Sequence, residues 1–417
     1  MFNLLKQLFP ICRSITGEGV RKTLSILQGE IPIKIHEIPT GTKVFDWEIP
    51  KEWNIRDAWI KDHSGNRIID FQKNNLHIVN YSIPFEGELT LAELQKHLYS
   101  LPEQPDAIPY VTSYYNDNWG FCLKDSHRTQ LRDDTYKIKV DSSLDQGHLT
   151  YADLLIKGKS DQEILFSTYI CHPSLANNEL SGPVLTAFIA KELIKQKNLN
   201  YSYRFVFIPE TIGSIAYISQ HLNHLKEYVI GGWIVTCVGL PGKFTYLKGH
   251  KEDTITERVS LKTLKSSGKI FEIRSFLDRG SDERQFCSPG VDLPIGSLMR
   301  TKYGEYPEYH TSLDNLECIT EKAMEESFDV YMDCIKTFEK LKVYRPNVIC
   351  EPQLGRRGLY RDISTKKMLN QDIIVLKNFL SYCDGFHETE WIADKINIPI
   401  QELKNIISIL LKEKLIR

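Results

Sequence analysis

Three regions of the sequence gather residues that can do chemistry. "CHPSLANNELSG" supplies His172, Asn178 and Glu179; "FIPETIGS" supplies Glu210; and "RGSDERQF" with "YPEYHTSLDN" supplies Asp282, Glu283, His310 and Asp314. Histidine and carboxylate donors drawn from separate stretches are what a hydrolytic zinc site uses, with three protein ligands and one position left open. A cation held in that way polarises a carbonyl and lowers the pKa of water, and a neighbouring carboxylate takes the proton as water attacks. Each residue also has a plainer reading. His172 can be a hydrogen-bonding residue at a strand end, "HTSLDN" around His310 a helix cap, Glu210 a cap or surface carboxylate, and "SDER" a solvated charge run.

The elements around these stretches decide between the readings, because chemistry in an open α/β sheet collects where strands end. From Thr150 apolar strands alternate with amphipathic helices: "EILFSTYI", "GPVLTAFIAKELIK", "RFVFIP", "SIAYISQHLNHL", "GGWIVTCVG". That alternation predicts a mixed, mostly parallel sheet flanked by helices. His172 and Glu210 then fall just after two of its strands.

The rest of the chain reads differently. Residues 1–30 carry two helical runs separated by a turn at Ser14 to Glu18, and from Ile31 to about Val140 short alternating strands such as "NRIIDF" mark a β-rich module. After Tyr344 a Pro/Gly/Arg linker, "RPNVICEPQLGRRGLY", leads into three helical runs with the pattern of a small winged-helix-like unit. The expected organisation is an α/β domain over 1–40 and 135–345, an inserted β-rich domain over 41–134 and a winged-helix-like domain over 346–417. The basic residues Arg356, Arg357, Arg361, Lys366 and Lys367 could meet phosphates, but the last helix, "IQELKNIISILLKEKLI", is mostly Ile and Leu and offers few side chains to read bases. Protein packing is the expected role of this unit.

Composition narrows the class. The 417 residues are too many for one ordinary core, and 41% hydrophobic, 25% charged and a net charge of -2 are ordinary globular values that point neither to disorder nor to a basic nucleic-acid binder. No stretch reaches the roughly 18–20 apolar residues of a membrane span, and the N-terminus lacks the pattern of a cleaved signal. Nine cysteines without C-x-x-C pairs fit reduced, mostly buried thiols. The expectation is a cytoplasmic protein with a small substrate and neither membrane nor nucleic acid as partner; homo-oligomerisation stays open.

"SLANNELSG" resembles the Asp-Asn-x-Ser-Gly signature of the zinc aminopeptidase and carboxypeptidase clan, "FVFIPETIGSIAY" its strand with a catalytic Glu, and "EYHTSLDNL" the segment with its last His ligand. The whole chain is similar to the bacterial aminopeptidase-like family of polysaccharide-biosynthesis loci, in which a peptidase-like domain, an inserted β domain and a C-terminal winged helix are joined; "RGSDERQFCSPGVDLPIGSLMRTKYGEYPEYHTSLDN" is the most specific match. The clan's bridging Asp falls on Asn178 here, its Glu-Glu pair becomes Glu210-Thr211, and the Asp of its next strand is replaced by Thr236 or Cys237. A two-metal site needs a bridging carboxylate.

The resemblance, so altered, implies one zinc rather than two, held by His172, His310 and Glu179, with Asp282 in reserve and Asn178 an alternative. It makes Glu210 the general base and leaves Asp314 to accept a proton from His310 and fix its tautomer. Arg279, Arg300 and Tyr309 are the expected substrate contacts, Tyr303 and Tyr306 the expected rim. The activity implied is hydrolysis of an amide in a small peptide, amino-acid amide or amino-sugar substrate, in surface-polysaccharide metabolism. The rivals are a degenerate peptidase scaffold that binds without catalysis and a DNA-binding regulator.

Overall fold

The computed structural model describes residues 1–359 and 371–417. Of the basic stretch, Arg361, Lys366 and Lys367 lie outside the described residues. An eight-stranded sheet runs in the order Lys34–Pro39, His148–Ile156, Ser202–Ile208, Glu163–Tyr169, Val229–Ile234, Gly296–Met299, Phe244–Leu247, Phe271–Arg274. The four strands from Ser202–Ile208 to Gly296–Met299 are mutually parallel, and antiparallel strands adjoin them on both sides. The mixed, mostly parallel sheet read from the sequence is thus the observed one.

Its central strands are buried along their whole length, so alternation decides which face each side chain serves. Ile164 and Phe166 join the core with Tyr203, Phe205 and Trp233, covered by the helices Glu18–Glu30, Ser181–Lys195 and Glu321–Lys340. Leu165, Tyr169, Val206 and Ile208 point to the other face, against the helix Ile212–Tyr228.

The same second core contains Trp53, Ile60, Ile138 and Val140, which come from a four-stranded antiparallel sheet in the order Arg67–Asp70, Glu52–Lys61, Thr135–Asp145, Phe85–Thr90. The inserted sheet is therefore welded to the large one by shared apolar burial. Thr135–Asp145 pairs within this smaller sheet, one strand past the expected boundary at residue 134, and the large sheet resumes with His148.

The helices Gln371–Tyr382, Thr389–Lys395 and Ile400–Lys412 close around a separate core of Phe379, Ile392, Leu403 and Leu410. Leu403, Ile406, Ile407 and Leu410 of the last helix are spent on that core. Arg258 pairs with Glu388, and the Trp391 indole donates to Asp253 at 2.8 Å, tying this unit to the α/β part. Among the described residues no helix is long and apolar enough to cross a membrane.

Candidate functional site

The motif that opens the helix Ser181–Lys195 is shaped by one carboxylate. Ala176–Leu180 forms a π-turn running into the helix Ser181–Lys195, and Asp314 accepts from the amides of Ala176 (3.1 Å), Asn177 (2.6 Å) and Asn178 (2.9 Å). Those donors would otherwise be orphans of the helix start. Tyr306 donates its hydroxyl to the same carboxylate at 3.1 Å. Asp314 was expected to orient His310; it is instead committed to the backbone of the motif, and Tyr306 supports it rather than lining a rim.

Ser181 and Gly182 explain the rest of the motif. Ser181 Oγ accepts from Val238 N at 3.0 Å, and a Cβ on Gly182 would stand 2.3 Å from the Val235 carbonyl oxygen and 2.6 Å from Thr168 Oγ1. The helix can approach the sheet that closely only without a side chain. Gly182→Ala is expected to cost about 1–3 kcal/mol by overpacking, read as a lower denaturation midpoint; a change below about 0.5 kcal/mol would contradict the close approach.

His172, three residues beyond the strand Glu163–Tyr169, is buried. Its Nδ1 lies 2.9 Å from Glu179 Oε2, and its Nε2 faces Glu210 Oε2 at 3.8 Å. Glu179 Oε1 lies 3.3 Å from Arg13 Nε, and the same Nε donates to the His172 carbonyl at 2.9 Å. With Glu179 ionised, Nδ1 donates to it and Nε2 keeps its lone pair. Burial, reinforced by Arg13, pushes His172 down to about 3, so the ring is neutral near pH 7.

Glu210 ends the excursion after Ser202–Ile208, and Thr211 beside it holds φ 64° and ψ -77°, an unusual conformation for a β-branched residue. Ser281 donates to Glu210 Oε1 at 2.7 Å. Asp282 Oδ1 accepts from Thr211 N and Ser214 Oγ, both at 2.8 Å, while its Oδ2 is buried with no partner. Burial raises both carboxyls, and the Asp282 charge raises Glu210 further. Burial likewise lifts Glu179 to about 8 against the opposing pull of Arg13.

Raised carboxyls carry a stability signature. Each keeps its proton in the folded state where the unfolded chain, titrating near pH 4 to 4.5, has lost it. Their stabilising contribution is complete below that range and is lost as pH rises through the folded values. Below about pH 6.5 the depressed imidazoles of His172 and His310 act in the opposite direction, so chelator-treated protein should melt at progressively lower temperature from about pH 6.5 to about pH 8, and Glu179→Gln or Glu210→Gln should flatten the slope. An unchanged slope in both variants would remove these groups as its source.

His310, at φ 55°, is held by its carbonyl, which accepts from Tyr110 N at 2.7 Å. Its ring stacks on Tyr309 (centroids 3.9 Å apart) and lies 5.4 Å from the His172 ring, with Tyr110 at 5.2 Å from both imidazoles. Nε2 of His310 is buried with no partner, and burial followed by His172 takes its pKa down to about 3. Two imidazoles on one tetrahedral zinc, with Zn–N of about 2.0–2.1 Å, have ring centres roughly 5 Å apart. The observed spacing suits such a pair.

One triple of donors among the described residues lies within 4.8 Å of one another: Cys171, His172 and Glu179. The charge around it argues against a cation there. Arg13 already serves Glu179, His172 Nδ1 is engaged, and burial holds the Cys171 thiol well above its usual range. The Nε2 edge fits better, where an unpartnered imidazole and two buried, mutually repelling carboxyls would gain from positive charge. Glu179, expected as a donor, belongs to that triple and also meets His172 Nδ1.

Two expected substrate contacts are not brought to this site. Arg300 is buried with Nη1 2.7 Å from Glu326 and Nη2 donating to the Gly242 carbonyl at 2.7 Å, a structural pairing that leaves it no free fork for substrate. Arg279 is exposed over the ring of Phe276 and donates to that residue's carbonyl. Tyr303 donates to Glu283, which also accepts from the amides of Gly280 and Ser281, so both residues shape the loop that carries Asp282. Asn178 Nδ2 donates to Tyr169 OH at 2.7 Å, leaving its Oδ1 unpartnered.

A cavity of about 220 Å³ opens beside His172 and Glu210, and Trp47, Tyr114 and Tyr115 of the inserted module wall it. The insert therefore helps to shape the cleft. Sequence reasoning missed these aromatics, and it missed Arg13, Cys171 and Tyr110. Cys171 adjoins a singled-out histidine and could have been found; Arg13 and Tyr110 lie far away in sequence with no local pattern.

Comparison with known proteins follows this geometry. A family model described as a domain of unknown function (DUF4910) matches residues 2–341, and a winged helix-turn-helix model matches 342–417. A provisionally named polysaccharide biosynthesis protein with aminopeptidase-like domain from Clostridium acetobutylicum is 44% identical over 418 residues, covering 100% of this chain and 96% of that protein. The crystal structure of a provisionally assigned peptidase from the same organism superposes with a TM-score of 0.80 at 43% identity, over 100% of this chain and 95% of that one. A zinc aminopeptidase from Bacillus subtilis gives 0.59 at 12% identity, over 81% and 93% of the two chains. A peptidase M28 precursor from Shewanella amazonensis gives 0.59 at 12%, over 82% and 93%. These last two share the fold.

Proposed function

The chain belongs to the DUF4910 family, with an aminopeptidase-like fold and a winged helix-turn-helix, and from that premise we propose that it is a hydrolase of amide bonds that uses one zinc ion. The observation that carries the reading is the pairing of His172 Nε2 with Glu210 Oε2 at 3.8 Å, beside a second imidazole at 5.4 Å and an open cavity. His172 and His310 would supply two nitrogen donors, and either Glu179, which lies within the one close donor triple, or Asp282, whose Oδ2 is unclaimed, would have to close on them as the carboxylate donor. Bound there, zinc polarises a carbonyl and makes water more acidic.

The chain's own groups divide the remaining work. Glu179 fixes the His172 ring through Nδ1. Ser281 holds one oxygen of Glu210, leaving Oε2 to take a proton from attacking water and return it to the departing nitrogen. Trp47, Tyr114 and Tyr115 give the cleft aromatic surface for the substrate, and Tyr309 backs the His310 ring. A small peptide, an amino-acid amide or an amino-sugar amide fits this chemistry, and the name of the Clostridium relative favours a role in polysaccharide biosynthesis. We place it in the cytoplasm, with the inserted module and the winged helix as separate domains on the α/β scaffold.

Metal analysis of freshly purified protein tests the reading. His172→Ala and His310→Ala should each lose zinc, as should either Glu179→Gln or Asp282→Asn, and amide hydrolysis should fall with it. Protein that holds no zinc and gains no activity on adding it would favour the second reading, a binding scaffold without catalysis. Asn178 favours that rival, since its amide donates to Tyr169 where the clan resemblance places a bridging carboxylate.

A further inference from the structure

A second cavity, of about 390 Å³, lies away from the imidazoles where residues 159–162 and 341–345 meet residue 417. Its charges are one-sided. Lys159, Lys342, Arg345 and Arg417 line it against the single acid Asp161, which is itself 3.5 Å from Lys157 outside the lining. None of the four cations has an ion-pair partner among the described residues. Even with a carboxylate added at residue 417, positive charge exceeds negative.

Arg345 is the built part of this cleft. Its backbone exchanges two hydrogen bonds of 2.9 Å with Arg417, and Gly385 packs so tightly on it that a Cβ there would come within 2.6 Å of Nε. Nε and Nη2 are both buried with no acceptor. Burial and the nearby Arg417 charge lower its pKa against the smaller opposing pull of Glu227, Tyr228 and Asp384, which lie near it without pairing. Buried N–H donors of a guanidinium are seldom left unmet, and its fork matches a phosphate in two places. Tyr201, Tyr228 and Tyr344 add ring surface to the walls, and the volume exceeds what one inorganic phosphate needs.

We infer that this cleft between the α/β part and the winged helix-turn-helix binds a small phosphorylated molecule with at least two phosphate charges, held by Arg345 together with Lys159, Lys342 and Arg417. The site stands independently of amide hydrolysis. Occupation would cancel the mutual repulsion of the cations and bridge the two units of the chain.

Titration calorimetry of the full-length protein with inorganic pyrophosphate tests it. One saturable site per chain is expected, weakened at least tenfold by Arg345→Gln and by Lys342→Glu, and left unchanged by Lys61→Glu on the inserted sheet. Lys342 is exposed, so its variant stays informative if Arg345→Gln does not fold. Absence of saturable binding, or an affinity unchanged from the parent in both cleft variants, would overturn the site. Citrate bound as tightly as pyrophosphate would overturn its assignment to phosphate.

Discussion

Glu210→Gln is expected to leave a folded, zinc-retaining protein whose amide hydrolysis is slower by roughly 10²–10⁴-fold, the usual worth of a positioned acid–base group. The substitution preserves shape, so Ser281 can still meet the side chain and Thr211 keeps its strained backbone. What disappears is the oxygen that faces His172 Nε2 and can accept a proton. Because burial and Asp282 raise the Glu210 carboxyl, its ionised form is reached above the ordinary carboxyl range, and activity should climb with pH across that higher limb. Steady-state rates with metal content measured on the same samples decide the point. A variant with full zinc and a rate within threefold of the parent would strip Glu210 of its role.

Such a test is specific because the fold leaves so few groups facing the cleft, and much of that arrangement was legible in the sequence. Alternating apolar strands and helices from residue 150 announce the parallel core, and two of the singled-out residues follow strand ends where sheet geometry collects chemistry. His172 and His310, 138 positions apart by their numbers, are neighbours because the Asp314 carboxylate four residues after His310 clamps the π-turn that lies four to eight residues after His172. The sequence shows Asp314 as a partner for the nearer imidazole. It cannot show three amides of another segment arriving at the same carboxylate, since backbone donors have no signature in residue type.

Charge balance was legible in part. The missing clan carboxylates at Asn178 and Thr211 point to one cation at most, yet the group that answers Glu179 is a guanidinium from the segment between the first two helices. Arg300 shows the converse case. It sits next to the promising "YPEYHTSLDN" region, but Glu326 on the helix Glu321–Lys340 claims it, because a buried guanidinium settles on whichever carboxylate the packing brings. Sequence proximity ranks such partners poorly; burial ranks them well.

Arg13 carries the largest stability prediction. It is fully buried, donates from Nε to the His172 carbonyl and from Nη1 to the Leu8 carbonyl at 2.8 Å, and stands 3.3 Å from Glu179. Removing it takes away both hydrogen bonds and leaves a buried acid without its counter-charge, a loss of about 3–5 kcal/mol for Arg13→Met. Arg13→Lys should recover only part, because an ammonium cannot span three acceptors from one plane. Pairing Arg13→Met with Glu179→Gln should restore much of the loss, since no uncompensated acid remains. Chemical denaturation of the four proteins measures this, and a double variant no more stable than Arg13→Met would show that the guanidinium matters for its backbone contacts alone. The distinction reaches the site itself: without Arg13 the Glu179 carboxyl, already raised by burial to about 8, holds its proton to still higher pH, so the ionised form that accepts from His172 Nδ1 is reached later and the ring edge on which the proposed zinc depends is loosened.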